Sequence, residues 1–253
     1  MNFRIKYIFI FLFASALFVI SCEKDRPTEP TTDSCTDYDG NIYETVQLGD
    51  QLWMAENLKV THYNNGDSIP TGFTNTEWSN LDDTETGAFT IYPYDNDDAS
   101  LETCDENCAE VYGILYNWYT VDDDRGVCPE GFHVPSDEEW IDLERYLGIN
   151  EDELYLSGAG RAAGLDDKIK ASFDWDEPIA NPNSTGFGAL PAGYWFSERS
   201  YNWGFYGHYT AFWSWNEADN IKSFGRSMSH ERDEIRRTIP LSSSLSARCL
   251  RAY

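Results

Sequence analysis

Histidines and cysteines are the side chains whose spacing most directly signals chemistry, and this chain has four of the first and six of the second. The histidines are His62, His133, His208 and His230. His230 is followed by Glu231, but Glu234 stands where a zinc-hydrolase helix needs its second histidine, so that chemistry is not expected. No Gly-x-Ser-x-Gly elbow is present for a serine nucleophile. Gly158-Ala-Gly160-Arg-Ala-Ala-Gly164 has the glycines of a dinucleotide loop without a surrounding strand–helix–strand unit, and it reads as an ordinary loop. Cys104 and Cys108 lack a second Cys or His pair at zinc-ligand spacing. Hard cations need several carboxylate oxygens converging, and Asp95, Asp97 and Asp98 of the run Asp95-Asn96-Asp97-Asp98 are the residues that calcium would take. A lone acidic loop is usually only solvated, so calcium is the one cofactor considered and no other is expected. Eleven aromatic residues lie between Pro191 and Trp215. Most of these rings are expected in the core of a helix-poor fold, Trp213 and Trp215 among them. Tyr201, Trp203 and Tyr206 sit among Asn and Gly, and they are the expected exposed platform for stacking on a sugar or anchoring a protein.

The N-terminus reads as an address. Arg4 and Lys6 precede the apolar run Ile8 to Ile20, which ends in Val19-Ile20-Ser21-Cys22. Its 13 positions would rise only about 20 Å as a helix, short of a hydrocarbon core of roughly 30 Å, so residues 1–21 are expected to be a cleaved signal peptide. The residues before Cys22 resemble a lipobox, which implies diacylation of the Cys22 thiol with palmitate-type chains and a membrane anchor. Residues 22–34 are Pro, Thr and charged residues without apolar period, and form a tether. The cluster Glu23-Lys24-Asp25 resembles the surface-export signal of Bacteroidota lipoproteins. An outer-membrane lipoprotein facing the cell surface is the expectation, with a periplasm-facing one and a plain solvated linker as the alternatives.

The whole chain has 18 basic and 44 acidic residues, a formal charge of −26. Cleavage before Cys22 would remove two basic residues and no acidic one, making it −28. Nucleic acid is a poor partner for such a field. Residues 35–253 are long enough for one domain with a sizeable core, and no linker-like stretch divides them. Apart from Cys22 five cysteines remain, an odd number, so in an oxidising compartment one is free or paired outside the domain.

Local patterns place the positioning elements. Thr45 to Leu48 and Gln51 to Met54 flank Gly49-Asp50 as a two-residue hairpin, with Gly49 supplying the positive φ. Ser136 and Glu139 form a capping box that starts a helix whose Trp140, Leu143 and Leu147 share one face, and Gly148 stops it. From Phe187 onward, short β-rich segments alternate with turn residues. The fold class expected is α+β.

Six ordered blocks carry a family resemblance: Asp39 to Pro70, YGILYNWYTV at Tyr112 to Val121, CPEGFHVPSDEEW at Cys128 to Trp140, GFGALPAGYW at Gly186 to Trp195, FWSWNE at Phe212 to Glu217 and the ending SARCLRAY. Together they resemble the Fibrobacter succinogenes major paralogous domain over nearly all of residues 35–253. That family resembles in turn the C-type-lectin-like and formylglycine-generating-enzyme fold, through HVPSDEEW at His133 to Trp140 and ARCLR at Ala247 to Arg251. The resemblance implies a domain with short strands, one or two helices and long irregular loops, whose two ends pair. It also implies a disulfide from Cys128 to Cys249. The chain differs from many relatives at Arg236 to Pro240, where they are rich in Tyr and Asn. The lectin-like Glu-Pro-Asn calcium motif is matched only by Glu177-Pro178-Ile179, which departs at its third place.

The function expected from these residues is a non-catalytic envelope lipoprotein domain that binds glycan or protein ligands. An enzyme on the formylglycine-generating scaffold and a structural envelope protein are the alternatives from other classes. The enzyme would need a reactive cysteine pair near the C-terminus, where only Cys249 stands.

Overall fold

The hairpin expected around Gly49 is the seed of the first sheet. In the computed structural model, which describes residues 33–91, 107–158, 161, 163–176, 179, 182–196, 202–204, 206–215, 224–238 and 243–252, β2 (Ile42–Leu48) pairs with β3 (Gln51–Met54) from Leu48↔Gln51 to Thr45↔Met54. Gly49 has φ +61°, a conformation that costs a residue with a Cβ. Along β2, Tyr43, Thr45 and Leu48 are buried while Ile42, Glu44 and Gln47 are exposed, so one face is solvated. Every residue of β3 is buried. It is the inner strand of a four-stranded antiparallel sheet in the order β1 (Ser34–Thr36), β2, β3 and β12 (Leu250–Ala252). The first and last described strands therefore share a sheet, as the two-ends pairing requires, and Cys128 and Cys249 are joined by a disulfide with Cα atoms 5.8 Å apart.

Four short helices and two strands follow β3: α1 (Asn75–Ser79), α2 (Leu81–Thr84), β4 (Phe89–Thr90), α3 (Cys108–Tyr112), β5 (Leu115–Asn117) and α4 (Trp118–Val121). The helix started by Ser136 is α5 (Asp137–Leu147); its capping box is formed in both directions, and Gly148 ends it in the left-handed region at φ +99°. The expectation of one or two helices is corrected: five α-helices lie among the described residues, but only α5 is longer than five residues. The others are single turns held by local devices such as Asn117 accepting from the Thr120 N–H, too short for apolar periodicity to reveal.

The C-terminal half is strand-rich. β6 (Tyr194–Phe196) and β7 (Asn202–Gly204) join β4, β5 and β11 (Ser243–Leu245) in a five-stranded sheet, and β8 (Tyr209–Trp213), β9 (Gly225–Ser229) and β10 (Arg232–Thr238) form a separate three-stranded one. Three sheets and few helices make the fold α+β or mostly β. Helix α5 is wedged between these layers, with Trp140 4.8 Å from Trp53 of β3 and 5.7 Å from Phe212 of β8, between ring centroids. The buried indoles do not waste their N–H groups: Trp53 donates to Gln51 Oε1, Trp140 to the Trp213 carbonyl, and Trp213 to the Tyr116 carbonyl. Trp215 corrects the expectation that it shares the burial of Trp213, for it is 44 % exposed and its indole donates to Asp122. It lies two residues beyond the end of β8, where its backbone bridges to Ser136 while its side chain faces solvent.

Charge is buried in the same layer. Asp137 and Glu144 of α5 meet three arginines: Arg161 forks onto Glu144 at 2.8 and 2.6 Å, Arg226 joins Glu144 at 2.7 Å and Asp137 at 2.8 Å, and Arg237 grips Asp137 at 2.6 Å. Arg237 belongs to the run Arg236 to Pro240, and Arg161 to the glycine-flanked loop. Burial pushes the Asp137 carboxyl up, but the hydrogen bonds and charges of Arg237 and Arg226 outweigh it and hold the group below the usual carboxylate range.

Candidate functional site

Two polar constellations share one stretch of surface, built from residues 173–176, residues 206–208 and the start of the β9–β10 turn. The register of β8 and β9 makes the first. Tyr209 pairs with Ser229, so one step beyond the strand ends His208 lies opposite His230, and the His230 N–H donates to the His208 carbonyl at 2.8 Å. The two imidazoles meet with Nδ1 of His208 3.0 Å from Nε2 of His230. Asp176 is docked by its own N–H, which donates to the Gly207 carbonyl at 3.1 Å, and its Oδ2 stands 3.1 Å from the same His208 Nδ1. Side-chain exposure rises outward, from 17 % at His230 through 29 % at His208 to 41 % at Asp176.

The turn bearing His230 is clamped from beneath. Lys170 donates to the carbonyls of Ser229 at 2.8 Å and Arg232 at 3.3 Å and is ion-paired with the buried Asp166. Asp166 also faces Asp167 and Asp233. Burial, and then the shared hydrogen bond with Asp233, push the Asp166 carboxyl well above the usual range despite Lys170. Lys170, paired with Asp166 and bonded to both carbonyls, ties the turn to the buried acid.

The second constellation is a donor chain. The Tyr206 hydroxyl donates to the Tyr112 hydroxyl at 2.9 Å, which donates to Asp174 Oδ2 at 2.6 Å, and the two rings meet edge-on at 4.9 Å. Tyr112 ends α3, and the next residue, Gly113 at φ +73°, passes so close to Asn57 that a Cβ would lie 2.6 Å from the Asn57 Cβ. Asn57 in turn donates to the Tyr112 carbonyl. Burial, then the hydrogen bond to Asp174, push the Tyr112 hydroxyl far above the ordinary phenol range, which keeps it a donor. Asp174 is exposed and holds φ +66°, unusual for a residue with a side chain. Beneath Tyr206 lie Cys108, Ala171, Leu190 and Ala192, and in the segment that carries Asp174, Phe173 is 56 % exposed while Trp175 is buried. The stretch therefore offers solvent an aromatic edge, a carboxylate and an imidazole pair.

Of the residues singled out from sequence, Tyr206 is in this site, half-buried against Tyr112. Trp203 lies on β7 in register with Trp195 of β6. Tyr201, Cys22 and the acidic residues Asp95, Asp97 and Asp98 lie outside the described residues. Among the other acids, Asp123 pairs with Arg125 at 2.7 Å and Asp122 accepts from Trp215. Cys108 is disulfide-bonded and Cys35 is the free, buried thiol among the described residues. Burial, with the charges of Asp37 and Asp33, pushes the Cys35 thiol up to about 11. Tyr112, Asp174, Asp176, His208 and His230 escaped sequence reasoning as a site. The one available signal was two histidines flanking a pair of β-like segments, and it does not carry a register.

Compared with family models, residues 46–251 match the Fibrobacter succinogenes major domain. No curated protein and no solved structure matches the chain.

Proposed function

The chain belongs to the Fibrobacter succinogenes major domain family, and from that premise we propose that it is a lipoprotein of the outer membrane, acylated at Cys22, that displays a non-catalytic glycan-binding domain at the cell surface. The observation that carries this reading is the chain from Tyr206 through Tyr112 to Asp174 at a solvent-facing edge. Aromatic carbon stacks on the C–H faces of a sugar, while a carboxylate and phenol hydroxyls take its O–H groups. With a formal charge of −26, neutral or cationic polymers are favoured over acidic ones and nucleic acid is disfavoured. A C-type-lectin-like arrangement of the sheets, with the ends paired through β12 and long loops on one side, belongs to the same proposal. The disulfide that engages Cys249 supports a binding role over formylglycine-type chemistry, which needs reactive thiols.

A glycan array tests the proposal. Saturable binding to a sugar class, reduced at least about tenfold by Tyr206→Ala with the fold intact, is the expected outcome. A blank array combined with saturable binding to an envelope protein would transfer the ligand class to protein, and turnover of a peptide cysteine would favour the enzyme.

A further inference from the structure

We propose that Asp176, His208 and His230 form a site for one borderline divalent transition metal ion, of which zinc is the type. The inference is independent of the glycan reading, since it rests on other side chains of the same surface. Three donor atoms converge: Nδ1 of His208 is 3.0 Å from Nε2 of His230 and 3.1 Å from Oδ2 of Asp176, and all three lie within 4.8 Å of one another. Ligands held about 2.0–2.2 Å from one ion stand roughly 3 Å apart, which is how His208 Nδ1 stands from each of the other two donors.

Protonation explains why an ion suits the three better than each other's company. If His208 Nδ1 carries a proton, that proton is shared between two acceptors, and His230 must hold its own on Nδ1, a buried atom with no hydrogen-bond partner among the described residues. If His208 Nδ1 is bare, it meets the Asp176 carboxylate lone pair to lone pair at 3.1 Å. A cation at the meeting point turns the facing lone pairs from a conflict into ligation.

The donors are preorganised by backbone. Strand register places the histidines, the Gly207 carbonyl holds Asp176, and Lys170 pins the carbonyls on either side of the turn. The Lys170 charge is offset by Asp166, and the acidic surface concentrates cations. Two imidazoles with one carboxylate select zinc-class ions over calcium and magnesium, which take oxygen. The exposed carboxylate of Glu231 stands 3.9 Å from His230 Nε2, within reach as a fourth ligand, and otherwise that position is open to water or a ligand hydroxyl.

The test uses the full chain in detergent, titrated with Zn²⁺ in excess Ca²⁺ to occupy nonspecific acidic sites, and with Co²⁺ for its imidazole-sensitive visible absorption. One Zn²⁺ per chain is expected, with affinity falling at least about tenfold in His208→Gln, His230→Gln and Asp176→Ala, and with loss of the Co²⁺ bands in the histidine variants. Asp176→Ala removes an exposed side chain, so its melting temperature without metal should match the parent and its affinity decides the matter even where a histidine variant folds poorly. Zn²⁺ affinity within about twofold of the parent in Asp176→Ala would overturn the proposal, as would the absence of stoichiometric binding by the parent chain.

Discussion

Opening the Cys128–Cys249 bond should cost this domain a large part of its stability, and the size of the loss follows from topology. The two cysteines are 121 residues apart in sequence, and the loop they close contains α5 and strands β6 to β11. Closing so long a loop in the unfolded chain restricts it by about 5 kcal/mol on the chain-entropy relation. Both residues are buried in the main core, at 5 % and 0 % exposure, so replacing them by alanine also removes two packed sulfur atoms, roughly another 1–2 kcal/mol together. Urea unfolding of the oxidised chain, the reduced chain and the Cys128→Ala/Cys249→Ala chain measures the loss. Reduction keeps the sulfurs in place but also opens the disulfide of Cys108, so it should lower the unfolding free energy by at least about 5 kcal/mol, and the double variant, which keeps the Cys108 bond, should lose about 6–7. The denaturant slope should rise in both, because an unlinked unfolded chain exposes more surface. Hydrogen exchange should quicken first in β12, which is otherwise held by three residue pairs with β3 and by the His133 bridge. If oxidised and reduced chains unfold within about 1 kcal/mol of each other, the loop argument is wrong for this fold.

Further outcomes can be checked separately. Asp137→Asn breaks a buried pair with Arg226 and Arg237 and should cost about 3–5 kcal/mol near pH 7 by chemical denaturation. Because the folded-state value of Asp137 is held below the unfolded one, its contribution is complete above the unfolded value near 4 and is lost as pH falls through the folded value. The parent and Asp137→Asn stability curves should therefore converge in acid, and a gap that stays constant to below about pH 2 would contradict the assignment. Cys35, buried and with its thiol raised to about 11, should resist iodoacetamide in the native chain at pH 8 and react once unfolded; peptide mass mapping that finds it alkylated in the native chain would refute its burial. Cys22→Ala should abolish palmitate labelling and leave a longer precursor, and labelling at the parent level would remove the lipid anchor from the proposal.

The sequence alone determined the elements whose signals are local. Gly49-Asp50 between two apolar runs defined a hairpin, and Ser136 with Glu139 and then Gly148 bounded α5, because a turn or a cap is made by residues one to four apart whose identities are read together. Resemblance in six ordered blocks named the family and implied the Cys128–Cys249 bond. Single-turn helices left no such trace, and Trp215 sits beside Trp213 yet faces solvent, since the end of a strand is decided by what packs on it. Tertiary structure alone decided the site. Tyr112 and Tyr206 are 94 residues apart, and His208 and His230 are 22 apart. Arg161, in what reads as a glycine-flanked loop, turns out to neutralise Glu144 in the core 17 residues away. Which of the arginines and acids are buried, and which histidines face each other, depends on strand register and on layers closing around α5. Those are set by the packing free energy of the whole domain, a sum over distant contacts that no short window of sequence contains.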